Sequence, residues 1–384
     1  MRALTQAGAL TPIRDMPVFG KVPGRIHPRF LGIATATPPD SYSQADLLDI
    51  FNITDERVRS LFANSGIDRR YLTLPPECPD GGRRIETQGE LLRKHREQGI
   101  DMATRAIRGC LQRAGFGLSD ISYLCCVTTT GFLSPGLSAY LIKELGLSVH
   151  TSRLDVVGMG CNAGLNGLNA VAAWATAHPG KVAVMVCVEA CSAAYVFDGT
   201  MRTAVVNSLF GDGAAAVALM AADHGMIVVR EPGDLAAGGP AILKFASCII
   251  PDAIDAMRFD WDDDHGKFSF FLSPDVPYVV GAHAEIIVDR LLHGTGLRRS
   301  DISHWIIHSG GKKVIDSVRI NLGLTRYDVR HTTGVLRDYG NLSSGSFLFS
   351  YERLSAEQLA GLGDYGIFMT MGPGSTIETA LFRY

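Results

Sequence analysis

The sequence predicts a layered α/β fold made of two similar halves, and three observations support this prediction. The first is a repeated segment, LQRAGFGLSDISYLCCVTTT at residues 111–130 and LLHGTGLRRSDISHWIIHSGG at residues 291–311. Asp120 and Asp301 occupy the same place in the two copies, at an offset of 301 − 120 = 181 residues. A shared segment at a fixed offset indicates duplication of a structural unit.

The second observation is a shared order of secondary-structure patterns. Each copy begins with an amphipathic helical pattern that ends at glycine, over residues 102–115 and 282–296. A short apolar run follows in each copy, at residues 121–127 and 302–308, and predicts a buried strand.

The third observation is that the correspondence continues along the chain. Gly160-Cys161-Asn162 and Gly340-Asn341-Leu342 each open a small-residue helix, and an apolar run broken by Gly-x-Gly ends each half. Two packed β/α halves give an α/β fold in which both sheets are buried. The predicted units are an N-terminal arm at 1–27, a first half at 28–222 and a second half at 223–384.

Composition excludes several other classes of protein. The net charge of −3 provides no strong field for nucleic acid or an anionic membrane. The first residues lack a signal-peptide core, and no apolar stretch reaches the length of a membrane helix. Eight cysteines without a CxxC pair argue against a disulfide framework or a metal site. We therefore expect a cytoplasmic protein that requires no metal and no cofactor.

The turn at Cys161 is the strongest candidate for chemistry. A strand, a glycine-rich turn and a helix follow one another in SRLDVVGMGCNAGLNGLNAVAAW. A cysteine at a helix N-terminus is expected to have a lowered pKa, because unpaired N–H groups and the helix dipole favour thiolate. The same letters also satisfy a dinucleotide-binding pattern, G-x-G-x-x-A, with Glu189 as the acid. Glu189 follows the turn at a longer distance than that pattern requires, so the nucleophile is the preferred interpretation.

Two residues of the second half could assist a cysteine nucleophile. His308 ends the strand WIIH and enters a Ser-Gly-Gly turn, where ligand chemistry is common in α/β sheets. Asn341 opens the helix that corresponds to the cysteine helix; it is either an N-cap or an amide donor to an oxyanion.

Together these motifs resemble the type III polyketide synthases, the chalcone-synthase-like enzymes. The resemblance rests on GMGCNAG, WIIHSGG, DYGNLSSG and MTMGPGSTIE, and runs from about residue 28 to the C-terminus. It implies a homodimer of thiolase-type subunits with five αβαβα layers. It also implies a Cys161–His308–Asn341 triad that acts on coenzyme A thioesters such as malonyl-CoA.

The resemblance assigns further positions one at a time. It implies gatekeeper roles for Phe210 and Phe270, and contacts to coenzyme A phosphates for Arg57 and Lys313. Gly372, Pro373 and Gly374 match the loop that shapes the cyclisation pocket. In plant enzymes a threonine is usual at the position of Ala194, a methionine at that of Ser134 and a phenylalanine at that of Met371. These pocket changes argue against a plant-like chalcone product.

Two segments, at 191–213 and 334–354, are similar to a bacterial branch of the family. That branch converts four malonyl-CoA into 3,5-dihydroxyphenylacetyl-CoA, for the dihydroxyphenylglycine of glycopeptide antibiotics. The implied partners include accessory enzymes resembling enoyl-CoA hydratases. The alternatives are a tetrahydroxynaphthalene or alkylresorcinol synthase, a ketoacyl or hydroxymethylglutaryl synthase, and a nucleotide-binding protein without condensing activity.

Overall fold

The computed structural model describes residues 26–79, 81–194, 201–221 and 239–384. The strands in these residues are β1 Arg29–Ala36, β2 Ser41–Ser43, β3 Arg69–Tyr71, β4 Ile121–Thr128, β5 Ser152–Val157, β6 Val182–Glu189, β7 Gly213–Met220, β8 Ala241–Ile249, β9 Met257–Asp262, β10 Lys267–Leu272, β11 Ile302–Ile307, β12 Tyr365–Gly372 and β13 Thr376–Arg383.

The helices in the same residues are α1 Gln44–Ile50, α2 Glu56–Ala63, α3 Gln88–Ala114, α4 Leu137–Leu145, α5 Ala163–Ala177, α6 Met201–Asn207, α7 Val276–Leu292, α8 Lys312–Asn321, α9 Arg330–Tyr339 and α10 Ser346–Glu357. None of them is both long and apolar enough to cross a membrane, as far as the chain is described.

Strand order confirms the predicted duplication. Within the described residues the large sheet runs β11-β12-β13-β8-β1-β7-β6-β4-β5. The first half contributes β5-β4-β6-β7-β1 and the second contributes β11-β12-β13-β8, which is the same order of equivalent strands. In the described residues the two half-sheets are joined where Arg29 of β1 pairs with Ala241 of β8. The second half has no described counterpart of β5, and α9 lies between α8 and α10 instead.

The repeated Ser-Asp-Ile-Ser segment forms the same local structure twice. A 3-10 turn, Leu118–Asp120 in one half and Arg299–Asp301 in the other, precedes the strand. In each turn the aspartate side chain accepts a hydrogen bond from the backbone N–H three residues earlier, at 2.7 Å and 2.8 Å. The four-residue identity is therefore explained by one capped turn that directs the chain into each half-sheet.

Burial of alternate strand residues defines the layers. On β4, Cys125 and Val127 face a central cluster that includes α5 and α10, whereas Leu124 and Cys126 face an outer cluster with α3 and α4. The second half-sheet shares the central cluster through Ile306, and its other face packs against α7 and α8. The order is helices, half-sheet, α5 with α10, half-sheet and helices, which confirms the five-layer αβαβα fold.

Two small sheets lie outside this frame. The β9–β10 hairpin carries Phe270, and the β2–β3 pair carries Arg70. The boundary between the halves expected at residue 222, and nearly all of the expected arm at 1–27, lie outside the described residues. These unit boundaries remain predictions.

Candidate active site

A strand-to-helix turn positions Cys161. β5 ends at Val157, a 3-10 turn covers Gly160–Asn162, and α5 begins at Ala163. Gly160 has a φ of 81°, and a Cβ placed on it would lie 2.0 Å from the Pro373 ring. Only glycine fits both the left-handed backbone and this close approach. The cysteine itself is 8% exposed.

The glycine-proline-glycine loop of the second half packs directly on this turn. A Cβ on Gly372 would lie 2.9 Å from the backbone nitrogen of Cys161 and 2.3 Å from Oδ1 of Asn162. Pro373 covers Gly160, and Gly374 turns the chain with a φ of 74°. The two halves therefore meet at the cysteine.

The Asn341 amide is oriented by its own turn. Its Oδ1 accepts hydrogen bonds from the Ser343 backbone at 2.8 Å and from the Ser346 hydroxyl at 3.5 Å. The side chain also lies close enough to Cys161 to lower the pKa of its thiol. Because α10 begins at Ser346 with Gly345 as its N-cap, Asn341 is not the helix cap. With the oxygen occupied by the turn, the amide NH₂ is the group left to donate to the sulfur.

His308 is the first residue after β11. Its backbone N–H donates to the Met369 carbonyl at 2.8 Å, and its ring is 2% exposed. Nδ1 has no hydrogen-bond partner within the described part of the chain. The following Ser-Gly-Gly turn reaches Leu209, whose carbonyl accepts the Asn341 N–H. This turn and the asparagine are thus fixed against the same residue.

Burial reverses the pKa direction expected for the cysteine from the sequence. It raises the pKa of the Cys161 thiol to about 12, against the lowering effect of hydrogen bonds from Ser343 and Asn341. Burial also lowers the pKa of His308 to about 3. A single charge in this enclosure is costly, whereas charges of opposite sign that form together stabilise each other. The expected lowering by the helix terminus alone is therefore wrong; a thiolate requires a partner that takes the proton.

A buried glutamate network lies behind the cysteine and was not predicted as part of the site. Glu189, the last residue of β6, is fully buried and accepts hydrogen bonds from Thr129 at 3.0 Å and 3.1 Å and from the Ser344 hydroxyl. The Thr129 hydroxyl lies 3.0 Å from that of Ser343, which also bonds to Cys161. Burial raises the pKa of Glu189. A carboxylate at the end of a wholly apolar strand was the available signal, and the sequence analysis considered it only as a dinucleotide acid.

Two phenylalanines enclose the apolar side of the site. Phe210 and Phe270 are buried in the same hydrophobic cluster as Cys161. Their ring centroids are 6.1 Å apart and nearly perpendicular. Phe210 also forms a β-bridge with Asn341. The residues proposed as gatekeepers therefore touch each other, and one of them contacts the asparagine turn.

The three pocket substitutions occupy different environments. Met371 is buried in the Cys161 cluster, and Ala194 packs against that cluster. Ser134 is exposed, beside Phe132, which is 74% exposed. Met371 and Ala194 therefore lie near Cys161 within the chain, while Ser134 lies on the surface.

The two basic residues expected at coenzyme A occupy similar positions. Arg57 lies in the first turn of α2 and Lys313 in the first turn of α8, and both are exposed. The chain after α2 approaches α8, since a Cβ on Gly66 would lie 3.5 Å from the Lys312 side chain. Neither side chain is engaged in an ion pair with the residues described.

No group of three or more potential metal ligands occurs within the described ranges. The dinucleotide-binding alternative is disfavoured, because the acid that it requires, Glu189, is buried behind Cys161 and already hydrogen-bonded. The site is a buried thiol among apolar residues, with the Asn341 amide beside it. Such a site in a duplicated five-layer fold defines a condensing enzyme of the thiolase-fold class.

Comparison with known proteins identifies the family. The model of the N-terminal domain of chalcone and stilbene synthases matches residues 25–223, and that of the C-terminal domain matches residues 238–384. The chain therefore belongs to the chalcone and stilbene synthase family, the type III polyketide synthases.

Two relatives and one solved structure place the chain within that family. It is 65% identical over 356 residues to a 3,5-dihydroxyphenylacetyl-CoA synthase of Amycolatopsis balhimycina, covering 93% of each chain. It is 31% identical to a 1,3,6,8-tetrahydroxynaphthalene synthase of Streptomyces peucetius subsp. caesius, covering 92% of each. PKS-I from the brown alga Ectocarpus siliculosus is a structural neighbour with a TM-score of 0.83 and 27% identity, covering 93% of this chain and 98% of that one.

Proposed function

We propose that the protein condenses four malonyl-CoA molecules into 3,5-dihydroxyphenylacetyl-CoA. The observation that supports condensation is the placement of the Asn341 side chain beside the buried Cys161 thiol, whose pKa it lowers, at the junction of the two halves. The proposed product rests on the 65% identity to a synthase of that name. The setting is precursor supply for dihydroxyphenylglycine and glycopeptide antibiotics, in the cytoplasm.

Loading begins with the Cys161 sulfur attacking the thioester carbon of the starter malonyl-CoA. His308 is the base that takes the thiol proton, since it is neutral when buried and its Nδ1 has no partner among the described residues. The coenzyme A thiolate leaves and recovers that proton from the imidazolium. The hydrogen bonds from Asn341 and Ser343 stabilise the sulfur while it carries charge.

Decarboxylation of an extender malonyl-CoA follows. The bond between the α-carbon and the carboxylate breaks, carbon dioxide departs, and the electron pair moves into an enolate. Asn341 and His308 hold the enolate oxygen, because preorganised donors in a dry site stabilise developing charge. The buried rings of Phe210 and Phe270 disfavour the charged carboxylate relative to neutral carbon dioxide.

Chain growth completes the cycle. The enolate carbon attacks the Cys161 thioester carbonyl, a carbon–carbon bond forms, and the thiolate is released for the next transfer. Met371, Ala194 and residues 372–374 line the pocket in which the polyketide folds before ring closure.

The binding partners follow from the same proposal. Arg57 and Lys313 contact the coenzyme A phosphates. Two copies of the protein form the dimer, and a hydratase-like partner assists dehydration.

The test uses purified protein and carbon-labelled malonyl-CoA as sole substrate, with Cys161→Ala as the control protein. Mass spectrometry should show a product, as the thioester or the free acid, that contains four two-carbon units. Five units would establish the naphthalene type instead. Absence of product until another acyl-CoA is added would refute a malonyl starter.

A further inference from the structure

A buried arginine lies beneath the site without contacting the thiol. Arg70 of β3 is 1% exposed. Its Nη1 donates to the Phe210 carbonyl at 2.8 Å, and its Nη2 donates to Oε1 of Gln44 at 2.9 Å. A buried guanidinium is retained only where hydrogen bonds or charges compensate its desolvation. Its partners therefore indicate what it holds in place.

The main partner of the Arg70 guanidinium is the place where the backbone of residues 209–211 crosses that of Asn341, here called the Phe210–Asn341 crossing. The Asn341 N–H donates to the Leu209 carbonyl at 2.8 Å, and the Gly211 N–H donates to the Asn341 carbonyl at 3.0 Å. Phe210 lies between these two bonds, and its carbonyl is the group that Arg70 binds. One guanidinium bond thus fixes residues 209–211, which in turn fix Asn341.

The aliphatic part of Arg70 packs against the other side of the crossing. A Cβ on Gly340 would lie 2.9 Å from Cδ of Arg70 and 2.6 Å from the Leu209 carbonyl oxygen. Gly340 has a φ of 75°, so glycine is required there for both conformation and space. The arginine stem therefore determines how closely the Asn341 turn approaches residues 209–211.

The guanidinium has a buried countercharge. Asp212 is fully buried and accepts hydrogen bonds from Ser192 at 2.7 Å and from the Thr73 N–H at 2.9 Å. Burial lowers the pKa of Arg70 to about 9, and the charge of Asp212 opposes that lowering. Arg70 is therefore a cation at neutral pH. Nε has no partner among the described residues, and Arg70 is one of the residues that line a cavity of about 20 Å³, the size of one water site.

We propose that Arg70 is the positioning residue for the condensation chemistry: it holds the Phe210–Asn341 crossing so that the Asn341 amide meets the Cys161 sulfur and the enolate oxygen. The assignment of the enolate rests on the proposed function. The effect of Asn341 on the pKa of the thiol does not, since it is present in the protein without substrate. Loss of Arg70 should alter how Asn341 meets both the thiol and the enolate, although the Arg70 side chain contacts neither of them.

The test compares Arg70→Met with Arg69→Met, its exposed neighbour on the same strand. The substrate-free measurement is the pH profile of alkylation at Cys161. Arg70→Met should shift the profile to higher pH in the same direction as Asn341→Ala, because a hydrogen bond that lowers the thiol pKa is lost. Arg69→Met should match the wild type. An Arg70→Met profile equal to the wild type overturns the proposal whatever the substrate proves to be.

The second measurement compares carbon dioxide release from malonyl-CoA with acyl loading of Cys161. Decarboxylation should fall about a hundredfold, near the effect of losing one oxyanion donor, and loading only a few-fold. Arg70→Lys keeps a cation and should restore part of the alkylation profile and part of the decarboxylation rate. If Arg70→Met does not fold, the results for Arg70→Lys test the proposal. Equal losses in loading and decarboxylation in Arg70→Lys would show a general structural role and overturn the proposal. A wild type that releases no carbon dioxide would refute the proposed function alone.

Discussion

The Cys161 turn and the Asn341 turn lie at corresponding places in the two halves and carry different side chains. Each follows a glycine with positive φ, 81° at Gly160 and 75° at Gly340, and each leads through a 3-10 turn into a central helix. One copy presents a thiol. The other presents an amide whose oxygen is occupied by its own turn. Each copy keeps the glycine, but the 3-10 turn includes Cys161 in the first half and begins two residues after Asn341 in the second, at Ser343 with a φ of 48°.

The strand ends next to these turns differ in a similar way. The first residue after β4 is Thr129, and the first residue after β11 is His308. Thr129 is hydrogen-bonded to Glu189 and to Ser343, whereas the His308 Nδ1 has no partner in the described part of the chain. The first half therefore supports the site through a closed network. The second half provides a ring nitrogen that remains available for a proton.

The sharpest test of this difference removes the thiol. Cys161→Ala should lower condensation by at least about 10⁴-fold, the scale on which loss of a covalent nucleophile acts. The fold should persist, because a small residue replaces a small one in the packed turn. Product formation is followed by mass spectrometry and folding by circular dichroism. Cys126→Ala is the matched control, because it removes a buried thiol of β4 that faces the outer cluster and not the cluster of Cys161. Comparable activity in Cys161→Ala would show that the nucleophile is misassigned.

Removing the amide should affect one step more than the other. Asn341→Ala should slow malonyl decarboxylation about a hundredfold to a thousandfold, because an oxyanion donor is lost. Loading of Cys161 should fall less, since the amide is only one of several groups that lower the pKa of the thiol. Rapid-quench measurement of acyl-enzyme and of carbon dioxide separates the steps. Ser346→Ala tests whether loosening the turn is sufficient. Equal losses in both steps would assign Asn341 a purely structural role.

The smallest expected effect concerns transfer of the thiol proton from Cys161 in the first half to His308 in the second. In His308→Gln the thiol has no base, and burial raises its pKa well above neutral pH. Below that pKa the thiol is protonated, so iodoacetamide labelling at Cys161 should be slow at neutral pH. The labelling rate should then rise about tenfold per pH unit as the thiolate fraction grows. The wild type, with His308 as acceptor, should label faster at neutral pH and depend less on pH.

This comparison is best made in a Cys78→Ser, Cys248→Ser background. Cys78 and Cys248 are partly exposed, whereas the remaining cysteines are buried. Peptide mapping then assigns the label to Cys161. Identical profiles for His308→Gln and the unsubstituted background would show that the histidine does not receive the thiol proton.

The sequence by itself determined the duplication, the layered α/β class and the identity of the two turns. These features depend on local patterns: apolar periodicity, glycines at left-handed positions, and a Ser-Asp-Ile-Ser segment that caps the same turn twice. Local signals extend over a few residues, and they survive in each half independently of the other. The roles of Cys161, His308 and Asn341 remain predictions that rest on those positions and on the family.

Only the tertiary structure decided which charges and hydrogen bonds surround the thiol. Thr129 meets Ser343 across 214 residues of chain, and Arg70 meets Phe210 across 140. The same packing raised the pKa of Cys161, where the sequence predicted the opposite, and left Ser134 on the surface. Desolvation and partner geometry are properties of the assembled site, because they depend on every group that excludes water from it, and no local pattern contains that information.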